Sequence, residues 1–178
     1  MTPSSPLTLV LTHTPVWAWV LLTTLLVLGL AQARDRSVAR GVALGLPAAM
    51  AVWSLVTAET GLGRPAATSA AWVAGVALVV LGARQAGWPQ GIRVAGTGRV
   101  FIPGSWLPLG VFLGLFMAKF FVGAAQGMHL PLVSTPGFAP AMGFVYGAFS
   151  GVFAARGLAV WQAVGPRVVR LLRPSEAA

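Results

Sequence analysis

Lys119 is the one lysine of the chain, set in the apolar run Phe116-Met117-Ala118-Lys119-Phe120-Phe121. An ammonium at the centre of a bilayer costs about 2.5–3.5 kcal/mol on insertion scales, and an intramembrane charge is a candidate ligand or ion site. Lys119 lies midway along the apolar segment 106–127, about 13 Å below its outer end at the helical rise per residue. Counted the same way, Tyr146 of the segment 138–160 and Thr23 and Thr24 of the segment 15–33 fall about 12–13 Å below their outer ends. Their oxygens can accept a hydrogen bond from an ammonium. Gln126 follows Lys119 by seven residues on the same helical face, and His129 lies just beyond it. The expectation is a cavity open to the outer face with Lys119 at its floor, binding or passing a small anion or a lipid headgroup. A second role for Lys119 stays open: internal pairing that fixes the register of its helix.

Enzymatic chemistry finds little support. Hydrolytic and proton-coupled sites use paired carboxylates or a nucleophile with its base. The three carboxylates, Asp35, Glu59 and Glu176, all fall outside or at the ends of the apolar segments. No HExxH, P-loop or nucleophile elbow occurs. Gly96-Thr97-Gly98 has neither the third glycine nor the strand–helix setting of a dinucleotide fingerprint, and reads as a turn. The chain has no cysteine, which excludes thiolate metal sites, thiol catalysis and disulfides. His13 and His129 invite a haem reading, but both lie outside the apolar segments, and His13-Thr14-Pro15 reads as a helix cap. A non-enzymatic protein with no catalytic residue, no metal and no cofactor is expected.

The elements that must carry these side chains follow from composition. Of 178 residues, 57% are hydrophobic and 8% charged, against about 25% charged in an ordinary soluble domain. No water-facing shell can be built from this sequence. Five segments are long and apolar enough to span a bilayer as helices: 15–33, 42–58, 66–86, 106–127 and 138–160. Ten arginines fall between the first and second segments, at the end of the third (Arg84) or between it and the fourth, or from the last turns of the fifth onward; only Arg64 falls on the opposite side. Loops rich in Lys and Arg face the cytoplasm, so the N-terminus is placed outside and the C-terminus inside. The seven tryptophans are read as interfacial anchors on the same scheme. The fold class expected is an all-α bundle of five transmembrane helices forming one domain, 1–178. The net charge of +9 is then topological, and no basic domain is left to bind nucleic acid.

The loop 87–105 carries two alternating runs, Ile92-Arg93-Val94 and Arg99-Val100-Phe101-Ile102, around a glycine-rich turn. That pattern predicts a short cytoplasmic β-hairpin. A lone hairpin is marginal in water, so it is expected to lie on the lipid surface through Val and Ile, its arginines toward anionic headgroups. The basic tail 161–178 is read as a second anchor for anionic lipid at the cytoplasmic face. Ser105 is placed to cap the fourth helix.

Gly143, Gly147 and Gly151 form a four-residue row in the fifth segment, and Gly110 and Gly114 form one in the fourth. Small residues at this spacing let helices approach closely in lipid. The simplest use is the fourth helix against the fifth; a homo-oligomer or a partner membrane protein is the other. The strings His13-Thr14-Pro15, Pro103-Gly104-Ser105-Trp106-Leu107-Pro108, Lys119-Phe120 and Gly147 to Gly151 before Arg156 resemble a family of small multi-pass bacterial inner-membrane proteins of unknown function. The resemblance implies a bacterial cytoplasmic membrane and carries no activity, substrate or cofactor. Two functional classes are carried forward: a membrane component binding an anion or lipid headgroup at Lys119, and an accessory or scaffold protein packing on partner helices through its glycine faces.

Overall fold

A computed structural model describes residues 16–62, 65–96 and 98–171, with the side chains of Trp17 and of 165–171 outside that description. Five helices run through the described residues: α1 (Val16–Gln32), α2 (Arg40–Leu62), α3 (Pro65–Gln85), α4 (Leu107–Gly127) and α5 (Phe138–Leu171). Three short strands, β1 (Arg36–Ala39), β2 (Arg93–Val94) and β3 (Arg99–Ile102), lie at one end, and a 3-10 turn, Pro131–Ser134, lies between α4 and α5. Four helices are long and apolar enough to cross a membrane: α2, α3, α4 and the Phe138–Val164 part of α5. In α1 the apolar stretch Ala18–Gln32 is shorter, and Pro15 lies outside the described residues. Many large apolar side chains stand on the outside of the bundle, among them Val20, Val27, Leu46, Val52, Leu78 and Leu81. In water, an apolar surface of that extent would drive association.

The helices are arranged around α5. It is the most buried of the spans, with α3 packed along it, α2 on a second side and α4 on a third, while α1 packs on α4. The glycine row of α5 meets α3, not α4. A Cβ at Gly143 would lie 2.7 Å from the Thr68 carbonyl oxygen, one at Gly147 would collide with the Trp72 carbonyl, and one at Gly151 would meet Val76 and Val79. Gly75 of α3 returns the contact on Phe144 and Ala148. Backbone therefore rides on backbone along three turns, the close approach that small residues permit. The α4–α5 packing expected from the two glycine rows is corrected by this geometry. Both helices carry such rows, and spacing alone does not say which neighbour each row meets. In α4 only Gly114 of the pair touches α5, under the Phe149 ring; Gly110 faces open space. Since α3 covers the α5 row, that face is not free for a second copy.

The expected hairpin forms, with Arg93 opposite Phe101 and Val94 opposite Val100, and Gly96 and Gly98 at positive φ in its turn. Its surroundings differ from expectation. β1, from the loop between α1 and α2, pairs antiparallel along the other edge of β3, from Arg36 opposite Ile102 to Ala39 opposite Arg99, giving a sheet in the order β1-β3-β2. The four residues of β1 are too few, and too enclosed by charge, to register as alternation. Their pairing removes the marginality of a lone hairpin. Val100 and Ile102 are buried with Ala43 and Val160, and Val38, Leu44, Ile92 and Val164 pack around them. They face α5 rather than a lipid surface. Arg99 donates to the Ser37 carbonyl at 2.6 Å, and Arg93 stands over the Phe101 ring at 5.8 Å.

Two further links hold this end together. Asp35 Oδ1 accepts the Gly104 N–H at 2.7 Å, and Ser105 N–H donates to the Gln32 carbonyl at 3.0 Å. A Cβ at Gly104 would collide with Ala33, so only glycine lets the two loops meet. Ser105 Oγ accepts the Leu107 N–H at 3.2 Å, which satisfies one of the free donors at the start of α4. The fifth helix runs past the expected span, from Phe138 to Leu171, so the first half of the basic tail is helix. Arg173 and the cap at His13-Thr14-Pro15 lie outside the described residues.

Candidate functional site

Lys119 projects from α4 between α2 and α5. Its Nζ donates to Thr57 Oγ1 at 3.0 Å and stands 4.7 Å from the centre of the Tyr146 ring. The ammonium thus rests on one hydroxyl and one aromatic face, whose negative quadrupole attracts it. Tyr146 is only 3% exposed, packed with Ala58, Val122 and Phe138. The two described carboxylates are used elsewhere. Asp35 holds Gly104, and Glu59 accepts from Ser69 across the α2–α3 turn. Among the described residues Lys119 therefore has no counter-charge. A cation in an apolar segment is ordinarily paired or set in a polar cavity.

A cavity of about 290 Å³ adjoins it. Met50, Trp53, Leu115, Phe149 and Phe153 form its apolar wall, and Ser54, Ser150 and Lys119 are its polar lining. A small number of polar groups in an apolar pocket is the usual composition of a ligand site. The two serines are partly committed. Ser150 Oγ donates to the Tyr146 carbonyl at 2.9 Å, and Ser54 Oγ accepts from Trp72 Nε1 at 3.4 Å. Ser54 also ties down the lysine's partner, since its carbonyl accepts from Thr57 Oγ1 at 3.1 Å. Trp53 borders the cavity and is 71% exposed. At the helical rise it stands about 14 Å from the end of α2, well inside the span rather than at its rim, because α2 runs four residues past Ala58.

The structure brings together two of the residues expected to share the site, Lys119 and Tyr146. The others lie apart. Thr23 and Thr24 donate back to the Trp19 and Val20 carbonyls of their own helix, and both are exposed on α1. Gln126 Nε2 donates to the Gly61 carbonyl at 2.8 Å and so caps the last turn of α2. His129 is exposed at positive φ after α4, its Nδ1 2.9 Å from the Gln126 carbonyl. Counting residues along each helix gives no azimuth, and azimuth decides which of these side chains meet. α1 packs mainly on α4, and both threonine hydroxyls are bonded within their own helix.

A family model described as a family of unknown function (DUF6622) matches residues 2–169. The chain belongs to that family. The match covers all the described elements but the last two residues of α5, so Lys119, Thr57 and Tyr146 all lie in the family domain. No curated protein and no solved structure matches the chain.

Thr57, Ser54 and Ser150 are the polar residues of this family member's site that residue counting missed. A signal existed: Ser54 and Thr57 are three apart within the second apolar segment, on one helical face, and Ser150 follows Tyr146 by one turn. Among the described residues no group of three metal-ligating side chains converges.

Proposed function

We propose that this protein is a non-enzymatic integral membrane component of the bacterial inner membrane that binds or passes a small anion or lipid headgroup at Lys119. Four apolar helices of spanning length support the membrane setting, and α1 supplies a fifth span once its N-terminal turn is included. The arginine distribution supports an N-out, C-in orientation. One observation carries the ligand reading: an ammonium with a hydroxyl and a ring for partners, no carboxylate, and a cavity of about 290 Å³ at its side. An anion entering there would supply the missing charge, and the apolar wall would take a chain or a small organic body.

Native mass spectrometry of the purified protein, wild type against Lys119→Met, tests this. The wild type is expected to retain an anionic small molecule or lipid that Lys119→Met loses. An empty, folded wild type would refute the reading.

The accessory or scaffold role keeps one supporting observation. Gly110, Gly123 and Gly127 of α4 face open space, so small residues remain available to a partner helix. Co-purification of another membrane protein, abolished by Gly123→Leu, would favour it.

A further inference from the structure

The sheet end of the bundle gathers arginines that the Lys119 site does not use. Along β1, Arg36 and Val38 share the half-buried face, while Ser37 and Ala39 are exposed. Val38 packs on the cluster of Ala43, Val100, Ile102 and Val160, so this face is turned toward α5. On α5, Arg156 precedes Val160 by one turn and Val164 by two, which puts it on the face turned toward the sheet. Arg36 and Arg156 therefore both face the layer between β1 and α5. Arg36 Nη2 donates to Gln32 Oε1 at 3.0 Å. Arg156 has no hydrogen-bond partner or carboxylate among the described residues. Arg40, with Ala43 and Leu44 of the same cluster three and four residues on, has its Nε buried without a partner. Asp35, the neighbouring carboxylate, is turned to the Gly104 N–H.

Like charges brought together out of water are unfavourable unless an anion joins them. Phosphate oxygens match the planar fork of a guanidinium and take two parallel hydrogen bonds from it. We propose that Arg36 and Arg156 form a phosphate site at the sheet end of the bundle, filled by the headgroup phosphate of an anionic lipid or by free phosphate. Arg156 is ten residues from Tyr146, about 15 Å along α5, and lies one turn beyond Phe153 at the edge of the Lys119 cavity; the phosphate proposal does not depend on the role of Lys119. Burial lowers the Arg36 guanidinium from its ordinary value, as desolvation of an unpaired cation does.

The full chain in neutral detergent is titrated with phosphatidylglycerol, with phosphatidylcholine and with inorganic phosphate, and the unfolding midpoint is followed, since a ligand of the native state raises it. Phosphatidylglycerol is expected to raise the midpoint and phosphatidylcholine is not. Arg36→Gln and Arg156→Gln are each expected to weaken the response about tenfold, as loss of a charge-assisted fork does, while Arg84→Gln at the exposed end of α3 leaves it unchanged. A response to phosphatidylglycerol alone assigns the site to a lipid headgroup; a response to inorganic phosphate as well assigns it to phosphate whatever its carrier. No response of the wild type to either, an equal response to phosphatidylcholine, or undiminished affinity in the Gln variants would overturn the proposal. Each Gln substitution relieves repulsion and is expected to fold. Should one fail, Arg156→Lys replaces it, with weaker binding in support and unchanged affinity against.

Discussion

Thr57 decides how Lys119 is held. Replacing its hydroxyl by a methyl in Thr57→Val keeps the shape and removes the acceptor 3.0 Å from Nζ. The loss is expected to be about 1 kcal/mol, as for a polar contact within a helical membrane bundle, read as a lowered unfolding midpoint in detergent. Tyr146→Leu removes the ring beneath the ammonium and empties part of a buried cluster. Its loss is expected to be larger, about 2–4 kcal/mol, because a cavity adds to the missing cation–π contact. Lys119 and Tyr146 were legible together because helical rise converts sequence number into depth. Thr57 was not, for a physical reason. With a span ending at Ala58 it sits at the rim, whereas α2 runs to Leu62 and places it about 8 Å inside.

Among the elements, α3 and α5 form the tightest pair, and the glycines separate by what they face. Gly147→Ala would drive a methyl into the Trp72 carbonyl, and backbone cannot yield as a side chain does. A loss of about 2 kcal/mol is expected, in the range of overpacked cores. Gly110→Ala meets nothing and is expected to be neutral or to stabilise by up to about 1 kcal/mol, since alanine loses less backbone entropy in a helix. Equal effects of the two substitutions would contradict this packing. Both glycine rows were visible in the sequence, yet their partner was not, because a four-residue repeat marks a close face without saying which helix lies on it. β1 was missed for a related reason. Four residues carry too little periodicity, and only the free edge of β3 makes Arg36–Ala39 a strand.

At the scale of the whole molecule, orientation is the property to measure. The chain has no cysteine, so single-cysteine reporters have no background. Gln90→Cys in the loop after α3 and Ser134→Cys in the turn after α4 are both at exposed positions. In right-side-out bacterial cells, a membrane-impermeant maleimide is expected to label Ser134→Cys and to reach Gln90→Cys only after the membrane is opened. The reverse pattern would invert the assignment drawn from the arginines. The linkage of Asp35 with Gly104 joins loops 69 residues apart, and Asp35→Ala is expected to loosen the sheet end, with faster amide exchange at Gly104 and Ser105.

Apolar length and residue period alone located five helices, with bounds good to a few residues except at the C-terminal end of α5, and the hairpin of β2 and β3. Each of these is local: apolar length, residue period and rise per residue are set by the backbone and need no neighbour. Which faces meet was settled by the packing: the α5 glycines turn to α3, Thr57 rather than Thr23 or Thr24 stands beside Lys119, β1 completes the sheet, and Arg36 and Arg156 face one layer between β1 and α5. Those outcomes depend on the azimuth of each helix in the bundle, which is fixed by the packing of all five together and leaves no period in any one of them.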